Sequence, residues 1–122
     1  MALEILLDDI KAVNGYVACG IMTFTGDMLV HHCADQAVDI EFVGALFNDI
    51  FRSAHKASKD VGLQAASDVL IKSADGTILM HCSGVDAPAH LHFVSILRAD
   101  GNRVLMERAM DRTVPKAVAE FS

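Results

Sequence analysis

No apolar run in this 122-residue sequence approaches the roughly 18 residues that a membrane-spanning helix needs. That argues against membrane insertion, although apolar residues make up 52% of the chain and the mean hydropathy is +0.36. Positive charge is scarce: ten basic side chains against sixteen acidic ones leave a formal charge of −6, with no basic run. Such a chain suits a phosphate backbone poorly, so nucleic acid is not an expected partner. Three cysteines, an odd number with no CxxC pair, point to a reduced, intracellular chain. Residues 1–7 lack the basic start and small-residue cleavage site of a secretory signal, so the expected location is the cytoplasm. Phosphate-cradling and nucleophile-elbow signatures (GxxxxGK(S/T), GxGxxG after a strand, GxSxG) are missing as well. There is no low-complexity stretch or linker, and the length suits one domain over residues 1–122.

What the chain does have is two β-hairpin patterns bracketing one long amphipathic helix. The first hairpin runs through residues 16–24, a Thr25-Gly26-Asp27 turn and residues 28–33. The second runs through residues 68–73, an Ala74-Asp75-Gly76 turn and residues 77–83. The strands are rich in Val, Ile, Thr and aromatic residues, as a pleated, half-buried surface prefers. With a three-residue turn in the first hairpin, Phe24 faces Met28, Met22 faces Val30 and Cys19 faces Cys33. A two-residue turn would shift each pairing by one. A fifth strand is expected over residues 90–98, after a short loop that contains Pro88.

The first helix is expected over residues 2–13, where Leu3, Leu6, Leu7, Ile10 and Val13 form one stripe that Asn14-Gly15 stops. The long helix should begin near Asp39, whose carboxylate can accept from free backbone N–H groups, and end at Gly62. Its expected core stripe is Val43, Leu46, Phe47, Ile50, Ala54, Ala57 and Val61. Phe42, Ala45 and Phe51 widen that arc beyond what one sheet can cover, and this excess calls for a second subunit. A last helix should open at Asp100-Gly101-Asn102, with Val104, Leu105, Ala109 and Met110 buried. Pro115 should kink it or begin a separate turn capped by Thr113.

Side chains with obvious chemistry are few. If Ser83 lies opposite His90, then His81 lies opposite His92, and His81, His90 and His92 share one sheet face within reach of a divalent ion. No HxxxH or CxxC spacing supports a metal, so the preferred reading is of strand imidazoles that are hydrogen-bonded or partly solvated. Neither a metal nor a cofactor is assigned. Cys19, Cys33 and Cys82 fall in apolar strands, where burial blunts a thiol, and no catalytic residue is assigned. Met22, Met28, Met80, Met106 and Met110 lie inside elements and read as core filling before an adaptable binding surface.

The element order carries a resemblance. Its residues are Val13-Asn14-Gly15-Tyr16-Val17 leading into the first strand, the Thr25-Gly26-Asp27 hairpin and the long second helix. Ile71-Lys72-Ser73-Ala74-Asp75-Gly76-Thr77-Ile78 in the second hairpin and the Asp100-Gly101-Asn102 start of the last helix complete them. Together they resemble the roadblock/dynein light-chain domain family over residues 3–119. Gly26-Asp27 departs from the Asp-Gly order usual in such turns, and Pro115 is unexpected. The resemblance implies an α+β, profilin-like fold: a five-stranded antiparallel sheet, order 2-1-5-4-3, with the second helix on one face and the first and last helices on the other. It also implies a non-enzymatic homodimeric adaptor or regulator of a small Ras-like GTPase, paired through the second helix and the third strand. The residues that map to that interface are Phe47, Phe51, Ala54, Val69 and Ile71. The alternatives are a subunit of a larger motor or signalling scaffold and a small-molecule or metal-responsive sensor domain.

Overall fold

The computed structural model describes residues 3–122. A 3₁₀ turn over Leu3–Leu7 runs into the short helix α1 (Asp8–Lys11), and β1 (Tyr16–Thr23) and β2 (Met28–Cys33) form the first hairpin. The long helix α2 (Ile40–Asp60) leads to β3 (Asp68–Lys72), β4 (Gly76–Cys82), β5 (Leu91–Arg98) and the closing helix α3 (Arg103–Phe121). The sheet is antiparallel throughout, in the order β2-β1-β5-β4-β3, as the resemblance implies. That order leaves β2 and β3 at its edges.

Strand alternation divides the core into two layers. Cys19, Ile21, Phe93 and Leu97 point to one side, where Leu7 and Ile10 and then Met106, Ala109 and Met110 of α3 cover them. Ala18, Met22, Met80 and Val94 point to the other, under Ile40 and Phe51 of α2. Met22, Met80, Met106 and Met110 are all buried and fill the core. At the front of the chain, the expected stripe is present but the helix is not continuous. Of its expected range, residue 2 lies outside the described residues. Gly15 then takes φ +89°, and a Cβ on it would lie 2.3 Å from Cα of Gly101. Only glycine satisfies both demands. This close approach ties the start of β1 to the turn before α3, where the Asn102 N–H donates to Asn14 O at 3.1 Å.

The three-residue-turn register of the first hairpin needs correction: over residues 18–21 each pairing is shifted by one, as the two-residue alternative gives, although the turn itself is not two residues long. Ala18 pairs with Cys33, Cys19 with His32 and Ile21 with Val30, and a bulge then brings Met22 opposite Met28. The turn is longer than expected because Thr23 closes it twice: its N–H donates to Asp27 O at 2.9 Å and its Oγ1 accepts the Asp27 N–H at 3.1 Å. Cys19 and Cys33 therefore lie on opposite faces of the sheet, with no disulfide geometry. In the second hairpin the turn comes one residue earlier, over residues 73–75, with the Ser73 N–H bonded to Gly76 O at 2.9 Å.

Both long helices are capped where the sequence indicates. Asp39 Oδ1 accepts the Phe42 N–H at 3.2 Å, and Asn102 Oδ1 accepts the Leu105 N–H at 3.0 Å. At the end of α2, Gly62 and Leu63 donate back to Lys59 O and Ser58 O at 3.0 and 2.9 Å, a Schellman closure. Helix α3 is one continuous element that includes Pro115, on its exposed side, and no separate turn begins there. Thr113 does not cap a new turn; its Oγ1 donates to Ala109 O at 2.8 Å inside the helix. The buried face is Met106, Ala109, Met110, Thr113 and Ala117, so Val104 and Leu105, expected inside, are left about half exposed.

Candidate functional site

The face carried by α2 holds the unusual surface. Its buried line is Ile40, Gly44, Asn48 and Phe51, not the stripe that apolarity alone marks. Gly44 allows the helix to lie close to the sheet, since a Cβ there would meet Met28 Cε at 2.8 Å. Asn48 can be buried because its amide is used at both ends: Nδ2 donates to Phe24 O at 3.0 Å and Oδ1 faces His92 Nδ1 at 2.6 Å. The consequence is a rotation of α2 about its own axis. Phe42, Leu46 and Ile50, stacked one turn apart, are 63%, 49% and 44% exposed.

Of the residues mapped to an interface, Phe51 is misplaced: it is 0% exposed and lies in the core of the chain. The cause is the same rotation, which Gly44 and Asn48 impose. Phe47 packs partly against the α2-side core, and Ala54 is half-buried on the helix flank. Val69 and Ile71 are half-buried on β3, on the same side of the sheet as α2. Beside them Ile78 and Ile96 are also only half covered. Phe47 of α2 thus shares one cluster with the incompletely covered face of the sheet and with Val69 and Ile71 of the edge strand β3.

At the C-terminal half of α2 the surroundings change from apolar to imidazole-rich. The β4–β5 register pairs Cys82 with His92 and His81 with Phe93, one residue away from the register expected. Ser83 causes the slip. Its N–H donates to Leu91 O at 2.9 Å, and its Oγ accepts the Leu91 N–H and donates to Ala89 O, both at 2.8 Å. A slip of one residue reverses every side chain. His81 therefore leaves the histidine face. On the α3 side its Nδ1 lies 2.6 Å from Asp68 Oδ1 and its Nε2 3.7 Å from Asp111 Oδ1.

Cys82 takes its place, and His55 arrives from α2, one turn after Phe51. One donor atom each from His55, Cys82, His90 and His92 lies within 4.8 Å of all the others. His55 Nε2 and His92 Nε2 are 3.4 Å apart. Aromatic rings hold two of the imidazoles: His55 stacks on Phe51 and His90 on Phe24, each at 4.6 Å between centroids. Burial, and then the charges that His90, His55 and Arg52 would present, push His92 down to about 3, so it is neutral at physiological pH. Burial also lowers His55 and His90 and raises the Cys82 thiol. His55 Nδ1 and His90 Nε2 are buried with no hydrogen-bond partner among the described residues. A cleft of about 890 Å³ opens beside the cluster, bordered by Arg52, Lys56, Lys59 and Ser83. The sequence signal for this cluster was present in His90-x-His92, but finding its other half required the strand register and the face of α2.

No protein-family model matches the sequence, and no curated protein matches it. Solved structures do. A roadblock/LC7 domain from Streptomyces avermitilis superposes with a TM-score of 0.82 at 13% identity, covering 99% of this chain and 98% of that one. The gliding protein MglB from Thermus thermophilus gives 0.80 at 12% identity, over 96% of this chain and 87% of that one. MglC from Myxococcus xanthus gives 0.62 at 23% identity, over 93% of each chain. Strand order, helix placement and these superpositions agree that the chain adopts the roadblock-type fold.

Proposed function

We propose that this protein is a cytoplasmic, homodimeric adaptor that regulates a small Ras-like GTPase and has no catalytic activity of its own. The observations that carry the dimer are the exposed Phe42-Leu46-Ile50 stripe on α2 and the open edge of β3. A two-fold axis beside α2 would set each stripe against its mate and pair the two β3 edges, so that the sheet continues from one protomer into the other. Phe47, Ala54, Val69 and Ile71 flank that contact; Phe51 supports it from inside. The likeness to MglB and MglC supports a place in a GTPase pathway, since the roadblock resemblance implies prokaryotic relatives that accompany such enzymes. Arginine is not assigned a role in hydrolysis: Arg98, Arg103 and Arg112 each lie within 3.6 Å of a carboxylate oxygen.

The test is a tagged pull-down from native lysate, with and without a non-hydrolysable GTP analogue, read by mass spectrometry. A Ras-like GTPase enriched in one nucleotide condition is the expected result. Recovery of this protein without a GTPase in both conditions overturns the regulatory reading.

A further inference from the structure

The adaptor reading gives no role to the four side chains gathered under the end of α2. We propose that His55, Cys82, His90 and His92 form a tetrahedral site for a zinc-class divalent cation, bound by three imidazole nitrogens and one thiolate sulfur. The ligand atoms lie within 4.8 Å of one another. Zinc holds nitrogen at about 2.0–2.1 Å and sulfur at about 2.3 Å, which sets neighbouring donors about 3.3–3.6 Å apart. The 3.4 Å between His55 Nε2 and His92 Nε2 already has that length. The other edges need side-chain rotations that close roughly 1 Å or a little more. Donor chemistry selects the ion. Nitrogen and sulfur with no carboxylate exclude calcium and magnesium and suit zinc.

The surroundings orient these donors as a metal site requires. Asn48 Oδ1 accepts the Nδ1–H of His92, which leaves Nε2 with its lone pair turned toward the cluster. The Gly84 N–H donates to Cys82 Sγ at 3.3 Å, a contact that favours thiolate. Phe51 and Phe24 fix the planes of His55 and His90. The buried His90 Nε2 has no hydrogen-bond partner among the described residues, and a bound cation gives it one; with His55 bound through Nε2, its Nδ1 stays unpartnered. On binding, the S–H bond of Cys82 breaks as the sulfur–zinc bond forms, and the proton leaves to solvent; nothing is oxidised or reduced. All four positions come from the protein, so the site is structural. It staples the end of α2 to β4 and the start of β5.

The purified chain, stripped with a chelator, is titrated with Co²⁺ alone and then with Zn²⁺ alone. One Co²⁺ per chain should bind, with the visible bands of a tetrahedral ion and a near-ultraviolet thiolate-to-cobalt band, both erased by Zn²⁺. Cys82→Ser should lose the thiolate band, and His90→Ala should weaken Zn²⁺ binding about 100-fold or more. In the unaltered chain, Zn²⁺ should shield Cys82 from iodoacetamide, as read by peptide mass, so the assignment stands even where a variant fails to fold. A cobalt spectrum without the thiolate band, or alkylation of Cys82 at the same rate with and without Zn²⁺, overturns the site. Neither result depends on dimerisation or on a GTPase.

Discussion

Replacing Phe51 by alanine should destabilise the protein by about 3–5 kcal/mol. The ring is fully buried among Met22, Met80 and Val94, and it meets the rings of both His55 and His92 at 4.6 Å between centroids. Truncation removes the transfer free energy of the ring and leaves a cavity that two rigid layers cannot collapse. Small domains hold only about 5–15 kcal/mol in total, so the loss is a large share of it. With a urea m-value of about 2 kcal/mol/M, the midpoint should fall by about 2 M with m unchanged. Urea titrations followed by far-ultraviolet circular dichroism would measure this, with chelator present and at one fixed protein concentration, because a dimer's stability depends on concentration. Sedimentation velocity on the same samples reports association. A wild-type midpoint combined with weakened self-association would refute the argument, because the ring would then face a partner and the assigned inner side of α2 would be wrong.

Leu46→Glu and Ile50→Glu should do the opposite, leaving a folded chain with near-native circular dichroism that sediments as a monomer; a persisting dimer removes α2 from the interface. Gly15→Ala should cost about 1–3 kcal/mol, since it sets a Cβ into a φ of +89° and against Gly101, and a thermal melt within a degree of wild type would show that the pinch can relax. Acidification should weaken the chelator-treated protein. His92 in the fold refuses a proton down to about pH 3, whereas in the unfolded chain it accepts one near 6.5, so its contribution is whole above 6.5 and shrinks as pH falls toward 3. Between pH 7.5 and 5 that loss is about 1–2 kcal/mol from His92, with His55 and His90 acting in the same direction. A denaturation midpoint that stays level over this range would contradict the neutral-imidazole assignment.

Element order and both caps of the long helices were legible because they rest on local chemistry. Asp39 and Asn102 satisfy orphan N–H groups, and Gly15 stands where a side chain cannot. Register was not legible, for a different reason. Thr23 and Ser83 each add side-chain bonds at a strand end that count as an extra residue, and neither shows in an alternation of apolar letters. The face of α2 was misread because apolarity marks what avoids water in the assembled molecule, whereas Gly44 and Asn48 mark what touches the sheet. Two readings followed from that difference: Phe51 was sent outward, and Leu46 and Ile50 inward. The histidine cluster depends on register and helix face together. Alternation puts His90 and His92 on one face, but it gives His81 the position that belongs to Cys82 and holds no signal that brings His55 in from α2.

The bond network between the first and last helices has a practical consequence. Asp9 lies 3.6 Å from Arg112 and 3.3 Å from Lys116, and Phe121 packs into the same layer as Leu3. Residues at both ends of the described chain therefore emerge on the side of the sheet opposite α2. An affinity handle, a fluorophore or a whole fused protein attached at either end would leave the Phe42-Leu46-Ile50 stripe and the imidazole cluster unobstructed. Surface-immobilised protein would present its α2 face outward, so tethering chemistry at either end is compatible with every binding measurement described above.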